Sequence, residues 1–190
     1  MKLLIHACCA DCLLKFIDSI ESENKEVFGI EIYFYNPNIH PRSEYLARLK
    51  AIKKISEENK IKLIVADWSP REWFGGTNLS PDKPGSLLNK ERSLKKEIRC
   101  LKCWELRLGK TFEYAKIKDF DKVSSTLLTS HYQDNKTIEK IAKELEGEYK
   151  IKFLVPKNVS KDLKTTGFYK QNYCGCCYSL VEAWGEKCYH

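Results

Sequence analysis

Apolar positions along this chain alternate between two rhythms. Leu3, Leu4 and Ile5 form a short unbroken run, so residues 2–6 read as a first strand. From 11 to 22 the spacing turns helical, with Leu13, Leu14, Ile17 and Ile20 recurring every three or four positions. Residues 27–35 are rich in Val, Ile, Phe and Tyr and predict a second strand. It ends in the turn-forming stretch Asn36-Pro37-Asn38-Ile39-His40-Pro41. A helix is expected over 43–60, with Tyr45, Leu46, Leu49, Ile52 and Ile55 on one face. Residues 61–66 are almost continuously apolar, as in a strand buried on both faces.

The rhythm breaks between 67 and 89. Pro70, Gly75, Gly76, Pro81, Pro84 and Gly85 predict an irregular segment, with Trp68, Trp73 and Phe74 as apolar anchors. Two readings stay open for it: a surface insertion packed by its tryptophans, or a lid or RNA-contacting loop. A long helix follows over 93–117, carrying Leu101, Trp104, Leu108, Phe112 and Ala115. Then come a fourth strand (123–129), a helix (136–145) with Gly147 as its stop, and a fifth strand (151–155) closed by Pro156. A short helix or turn is expected over 163–170, and 173–184 ends in helix. Strand and helix alternate, so the expected fold is α/β: a three-layer, Rossmann-like single domain (1–190) with about five parallel strands. Residues 1–156 form its core, and 157–190 an extension that delivers cysteines to it.

Composition adds chemistry. The chain has 190 residues, 43% hydrophobic and 31% charged, which are globular values. No apolar run approaches the roughly 20 residues of a membrane span, and the amino-terminal run is too short for a secretion signal, so a cytoplasmic protein is expected. Nine cysteines are unusual there, where structural disulfides are rare. They cluster as Cys8-Cys9-x-x-Cys12, Cys100-x-x-Cys103 and Cys174-Gly175-Cys176-Cys177, with Cys188 apart. Clustered thiols in a reducing compartment point to zinc or iron–sulfur. The net charge is +7, and residues 90–110 hold eight basic and three acidic residues around the second cysteine pair, which suits a polyanion such as RNA.

Position sharpens this. Ligands of an open α/β sheet gather where the first strand meets the next helix. A nucleotide-binding chain puts glycines there; here the first glycine is Gly29, and thiols take the place. The helix dipole at Cys8, Cys9 and Cys12 is expected to favour thiolates. Asp11 lies three residues after Cys8, and is either a helix cap or a hard ligand and proton donor. His6 is expected to be a core residue or an outer contact of a metal site. Arg107, one turn after Cys103, is either solvated or in contact with a cluster or phosphate. His131 and Tyr132 follow the fourth strand at the same sheet edge and are placed to orient a substrate, with Asp134 a candidate cap. Cys9, Cys12, Cys100 and Cys103 alone would make a four-cysteine zinc site, the basis of a non-enzymatic RNA-interaction module. That leaves Cys8, Cys174, Cys176 and Cys177 unexplained; eight clustered cysteines suit a cluster plus a second metal, or a cluster plus a redox-active thiol pair. Sulfur insertion into tRNA on a related fold wants a glycine-rich phosphate loop, which is missing.

Taken in order, His6-x-Cys8-Cys9-x-x-Cys12, Asn36-Pro37-Asn38-Ile39-His40-Pro41 with Glu44-Tyr45, Arg99-Cys100-x-x-Cys103-Trp104-x-x-Arg107-Leu108 and Tyr173-Cys174-Gly175-Cys176 with Tyr178-Ser179 resemble the QueH-type epoxyqueuosine reductases across nearly the whole chain. The resemblance implies an adenine-nucleotide hydrolase-like α/β fold and a cobalamin-independent reduction of epoxyqueuosine to queuosine at the wobble position of tRNA. It implies a 4Fe–4S cluster with a second metal, iron or zinc. An unidentified electron donor is also expected, either a ferredoxin- or flavodoxin-like protein or a chemical reductant. The expected partition gives the cluster to Cys9, Cys12, Cys100 and Cys103, and the second metal to Cys8, Cys174 and Cys176 with Asp11. A redox-active disulfide is also expected. Asp11 and His131 are the expected proton donors, and Arg107, Asn36 and Tyr132 the expected substrate contacts.

Overall fold

The computed structural model describes residues 1–23, 29–77, 96–130, 133–156, 168 and 172–187. Five strands form one parallel sheet in the order β3-β2-β1-β4-β5: β1 (Lys2–His6), β2 (Gly29–Phe34), β3 (Lys62–Val65), β4 (Lys122–Ser125) and β5 (Lys152–Phe153). The helices are α1 (Ala10–Glu23), α2 (Arg42–Glu58), α3 (Pro70–Gly76), α4 (Lys96–Ile117), α5 (Asn135–Tyr149) and α6 (Cys177–Lys187). Side chains of β1 alternate between two cores, as pleating requires. Leu3 and Ile5 join Leu13, Phe16 and Ile17 of α1 and Ile52 and Ile55 of α2, while Leu4 joins Phe112 and Ala115 of α4 on the opposite face. The result is the three-layer α/β domain read from the periodicity. No helix among the described residues is long and apolar enough to cross a membrane.

Several elements differ from expectation for identifiable reasons. The strand over 61–66 is a half-buried edge, with Val65 exposed, because β3 pairs only with β2. Leu46, expected on the buried face of α2, is exposed. Within the irregular segment α3 forms: Ser69 caps it by accepting from the Glu72 amide, and Pro70 supplies a ready-made first turn. Trp73 then buries completely, and residues 78–89 lie outside the described residues. The fourth strand stops at Ser125, whose hydroxyl accepts from the Leu127 amide and starts a 3-10 turn over Thr126–Thr129. Helix α5 runs past Gly147 and ends where Lys150 adopts φ 59°. Glu146 holds that last turn by accepting from the Phe153 amide and pairing with Lys152. The helix or turn over 163–170 falls almost wholly outside the described residues.

The sheet order places β1 beside β4, from which the chain proceeds in opposite directions. The crevice outside the carboxyl ends of such a strand pair is where ligands of α/β sheets bind. The turn after β1, the loop 36–41 after β2 and the 3-10 turn after β4 all meet there.

Candidate active site

At the end of β1 the backbone is tied down on two sides. The Ala7 amide donates to Tyr33 O (3.0 Å), and the Ala7 carbonyl accepts from Asn36 Nδ2 (2.8 Å). The Cys8 amide donates to Thr126 Oγ1 (3.2 Å) across the β1–β4 crevice. Beneath it, His6 is fully buried; Nε2 donates to Tyr35 O (3.1 Å), which leaves Nδ1 to accept from the Ser125 hydroxyl (2.8 Å). Burial, with the Arg107 charge, holds its pKa well below the ordinary imidazole value. His6 is therefore a neutral, satisfied core residue that fixes the turn from below.

Three thiols leave that turn. Cys8 is buried, and Cys9 and Cys12 are half-buried. The Cys8–Cys9 hydrogen bond and burial push Cys8 upward, while the bond to Cys12 drives Cys9 up to about 12. Mutual hydrogen bonding and desolvation thus overcome the helix dipole, which the sequence reading expected to favour thiolates at Cys8 and Cys9. Asp11 sits inside the first turn of α1, half-buried, rather than ahead of the helix as a cap.

Helix α4 carries Cys100, Cys103 and Arg107 along one side. Opposite them, residues 172–176 bring in Cys174 and Cys176, whose Sγ atoms are 3.6 Å apart. Cys100, Cys103, Cys174 and Cys176 line one narrow cavity of about 20 Å³ together with Asn38, Trp73 and Arg99. Cys8, Cys9 and Cys12 form a second group at the turn. The expected partition joined Cys100 and Cys103 with Cys9 and Cys12; the cavity joins them with Cys174 and Cys176. The last pair shares its protons unequally. Their hydrogen bond lowers the pKa of Cys174 and raises that of Cys176, so one thiolate forms readily beside one retained thiol. Burial pushes Cys100 up to about 12 and also raises Cys103, the latter opposed by Arg107 and Trp73.

Three buried guanidinium groups surround these thiols: Arg48 at 6%, Arg99 at 4% and Arg107 at 3% exposure. Arg48 pairs with Glu44, and its Nη1 donates to Cys174 O (3.3 Å). Arg99 pairs with Glu182 of α6 and lies over the Tyr178 ring. Arg107 Nη2 donates to Asn36 Oδ1 (2.7 Å), and no carboxylate pairs with it among the described residues. Burial rules out the solvated reading of Arg107. A buried cation costs several kcal/mol unless negative charge faces it, so thiolates or a thiolate-held group are its natural counter-charge.

Sequence comparison bears on what this constellation is. The family model described as epoxyqueuosine reductase QueH matches residues 3–182. The chain belongs to the epoxyqueuosine reductase QueH family. A relative in Dehalococcoides mccartyi, named epoxyqueuosine reductase QueH, is 33% identical over 97% of this chain and 96% of its own length. One of the same name in Thermotoga maritima is 33% identical over 94% of this chain and 90% of its own. Another in Histophilus somni is 33% identical, covering 97% of this chain and 75% of its own.

Within the chain the expected residues separate into groups. Cys8, Cys9, Cys12, Cys100, Cys103, Cys174 and Cys176 converge on one sheet edge in the two thiol groups above. Arg107 and Asn36 are hydrogen-bonded to each other and buried, so they hold the β1 turn. His131, Tyr132 and Cys188 lie outside the described residues. Asp134 caps α5, accepting from the Lys136 and Thr137 amides. Sequence reasoning missed Arg48, and named Glu44 and Arg99 only within the motifs, with no role at the site. Glu44 and Arg48 had one signal, an i,i+4 ion-pair spacing interleaved with the apolar positions Tyr45, Leu49 and Ile52.

A cluster fits this donor set by its chemistry. Thiolates are the usual ligands of iron–sulfur clusters. Among the described residues, Trp73 Nε1, Arg99 Nε and Arg107 Nε are buried N–H groups with no acceptor, and Trp73, Arg99 and Arg107 all line the thiol cavity. Buried donors of this kind are satisfied by anionic sulfur. A second metal, expected alongside the cluster, would draw on the same thiols; among the described residues no three Cys, His, Asp or Glu side chains stand at single-ion spacing.

Proposed function

We propose that this protein is a cobalamin-independent iron–sulfur enzyme that reduces epoxyqueuosine in tRNA to queuosine. Removing the epoxide oxygen consumes two electrons and two protons and yields an alkene and water. The observation that carries the reading is the convergence of seven cysteines from the first turn, α4 and the carboxyl-terminal loop on three buried arginines. Cys9, Cys12, Cys100 and Cys103 would hold the 4Fe–4S cluster, the four thiolates such a cluster takes. When bound, the cluster supplies one-electron transfer. Cys174 and Cys176 are the redox-active pair. Oxidation of that dithiol to a disulfide releases two electrons and two protons, the number the reaction consumes. Their unequal affinities support this, since thiol–disulfide exchange needs a thiolate to attack and a proton to hand on. An electron donor, a ferredoxin- or flavodoxin-like protein or a chemical reductant, restores the dithiol.

The remaining residues hold this arrangement. Arg48 and Arg107 place positive charge against both thiol groups and lower the cost of burying negative sulfur. Trp73 and Trp104 exclude water from the cavity; Trp104 is fixed by donating to Gln133 Oε1 (2.6 Å). Asp11, half-buried beside Cys12, is placed to relay a proton within the same turn.

Anaerobic reconstitution of single variants tests the assignment. Cys100→Ala and Cys9→Ala are expected to lose most cluster iron by Mössbauer spectroscopy. Cys174→Ala and Cys176→Ala are expected to retain it while losing at least ~100-fold in turnover, the scale of removing one essential chemical group. Full iron content in Cys100→Ala contradicts the assignment.

A further inference from the structure

A second cleft, of about 420 Å³, opens beside the thiol cavity between the first turn of α4 and the start of α5. Its volume is that of a small-molecule site. Cys100 and Trp104 line both the cleft and the thiol cavity, so the two are joined at a shared wall. Ile98 and Leu101 make an apolar side, and Ile98 is 41% exposed. The polar groups at the rim are of two kinds. Asp134 is occupied: its oxygens accept from the Lys136 and Thr137 amides and the Thr137 hydroxyl. Lys96 lies 3.7 Å from Glu182. Glu97, by contrast, is exposed and enters no ion pair among the described residues. It precedes Cys100 by three positions, so the two lie on one side of α4 about one turn apart.

We infer that this cleft seats the epoxide-bearing ring of the substrate nucleoside and that Glu97 binds the secondary ammonium group attached to that ring. The inference rests on the epoxyqueuosine reading. In that nucleoside the nitrogen and the epoxide are carried by neighbouring positions of one five-membered ring. A carboxylate one turn from Cys100 therefore holds the nitrogen while the epoxide points toward the wall shared with the thiol cavity. Ile98 and Leu101 cover the ring's apolar face. Glu97 also separates this substrate from an unmodified tRNA, because guanosine at the wobble position brings no ammonium group. It acts as a specificity residue and takes no part in electron or proton transfer.

Binding without turnover tests this. Reconstituted protein, with no reductant, is titrated with two preparations of one tRNA, carrying epoxyqueuosine or guanosine at the wobble position. Wild type is expected to prefer the epoxyqueuosine form by about 10-fold or more, the scale of a hydrogen bond to a charged group. Glu97→Gln, at an exposed position where folding is not at stake, is expected to lose that preference while keeping the affinity for the guanosine form. Glu97→Asp is expected to restore part of it. If Glu97→Gln retains the preference, or if wild type reduces epoxyqueuosine yet shows no preference, the inference is overturned. If wild type neither prefers nor reduces the modified tRNA, the functional reading beneath it fails.

Discussion

Gly175 is the residue on which the position of two thiols depends. Its φ of +112° lies where side chains are rarely tolerated, and a Cβ there would come within 3.1 Å of three guanidinium atoms of Arg48. Its carbonyl accepts from the His40 amide (2.8 Å), and Tyr173 donates to His40 O (3.2 Å), so the loop between Cys174 and Cys176 is pinned from both α2 and the 36–41 loop. Gly175→Ala is therefore expected to cost about 1–3 kcal/mol in stability, read as a lower urea midpoint, and to slow turnover more than the analogous change at exposed Gly75. Equal stability in Gly175→Ala would contradict the pinning. The cysteines themselves were legible in the sequence, because their spacing is local. Arg48 was not, because its burial depends on Cys174 and Tyr173 docking from more than a hundred residues away along the chain.

Among the elements, α5 shows how local punctuation yields to tertiary contact. Gly147 reads as a helix stop, yet the helix continues because Glu146 is anchored to β5 and Lys150 takes the left-handed turn instead. A Cβ at Gly147 meets nothing within 4 Å. Gly147→Ala is expected to stabilise the protein by about 0.5–1 kcal/mol, since glycine in a helix interior carries an entropic penalty; thermal unfolding should show it, and a loss of stability would mean that the helix needs glycine there. Helices α1, α2 and α4 were legible because long amphipathic periods leave little ambiguity. The edge position of β3, the short helix α3 and the 3-10 turn were not: residues 61–66 read as a strand, but a short apolar run looks alike whether it sits inside a sheet or at its rim.

At the scale of the molecule, one topological fact organises the chemistry. The order β3-β2-β1-β4-β5 opens a crevice between β1 and β4, and the first cysteine turn lies at its mouth. Helix α4 and the carboxyl-terminal loop close over it, and a cleft opens on the far side of Cys100 and Trp104. A position that nucleotide-binding α/β sheets in general give to glycines and phosphate is here given to thiols and guanidinium groups. The parallel sheet and the edge where its cysteines gather were legible from the alternation of strands and helices. How the thiols divide between them was not, because spacing says nothing about which cysteines meet across the cavity. The most direct test of the whole account is nucleoside analysis after reconstituted protein and a reductant are incubated, without cobalamin, with tRNA carrying epoxyqueuosine. The account predicts conversion to queuosine. Unchanged epoxyqueuosine, with the cluster shown spectroscopically to be intact, would contradict it.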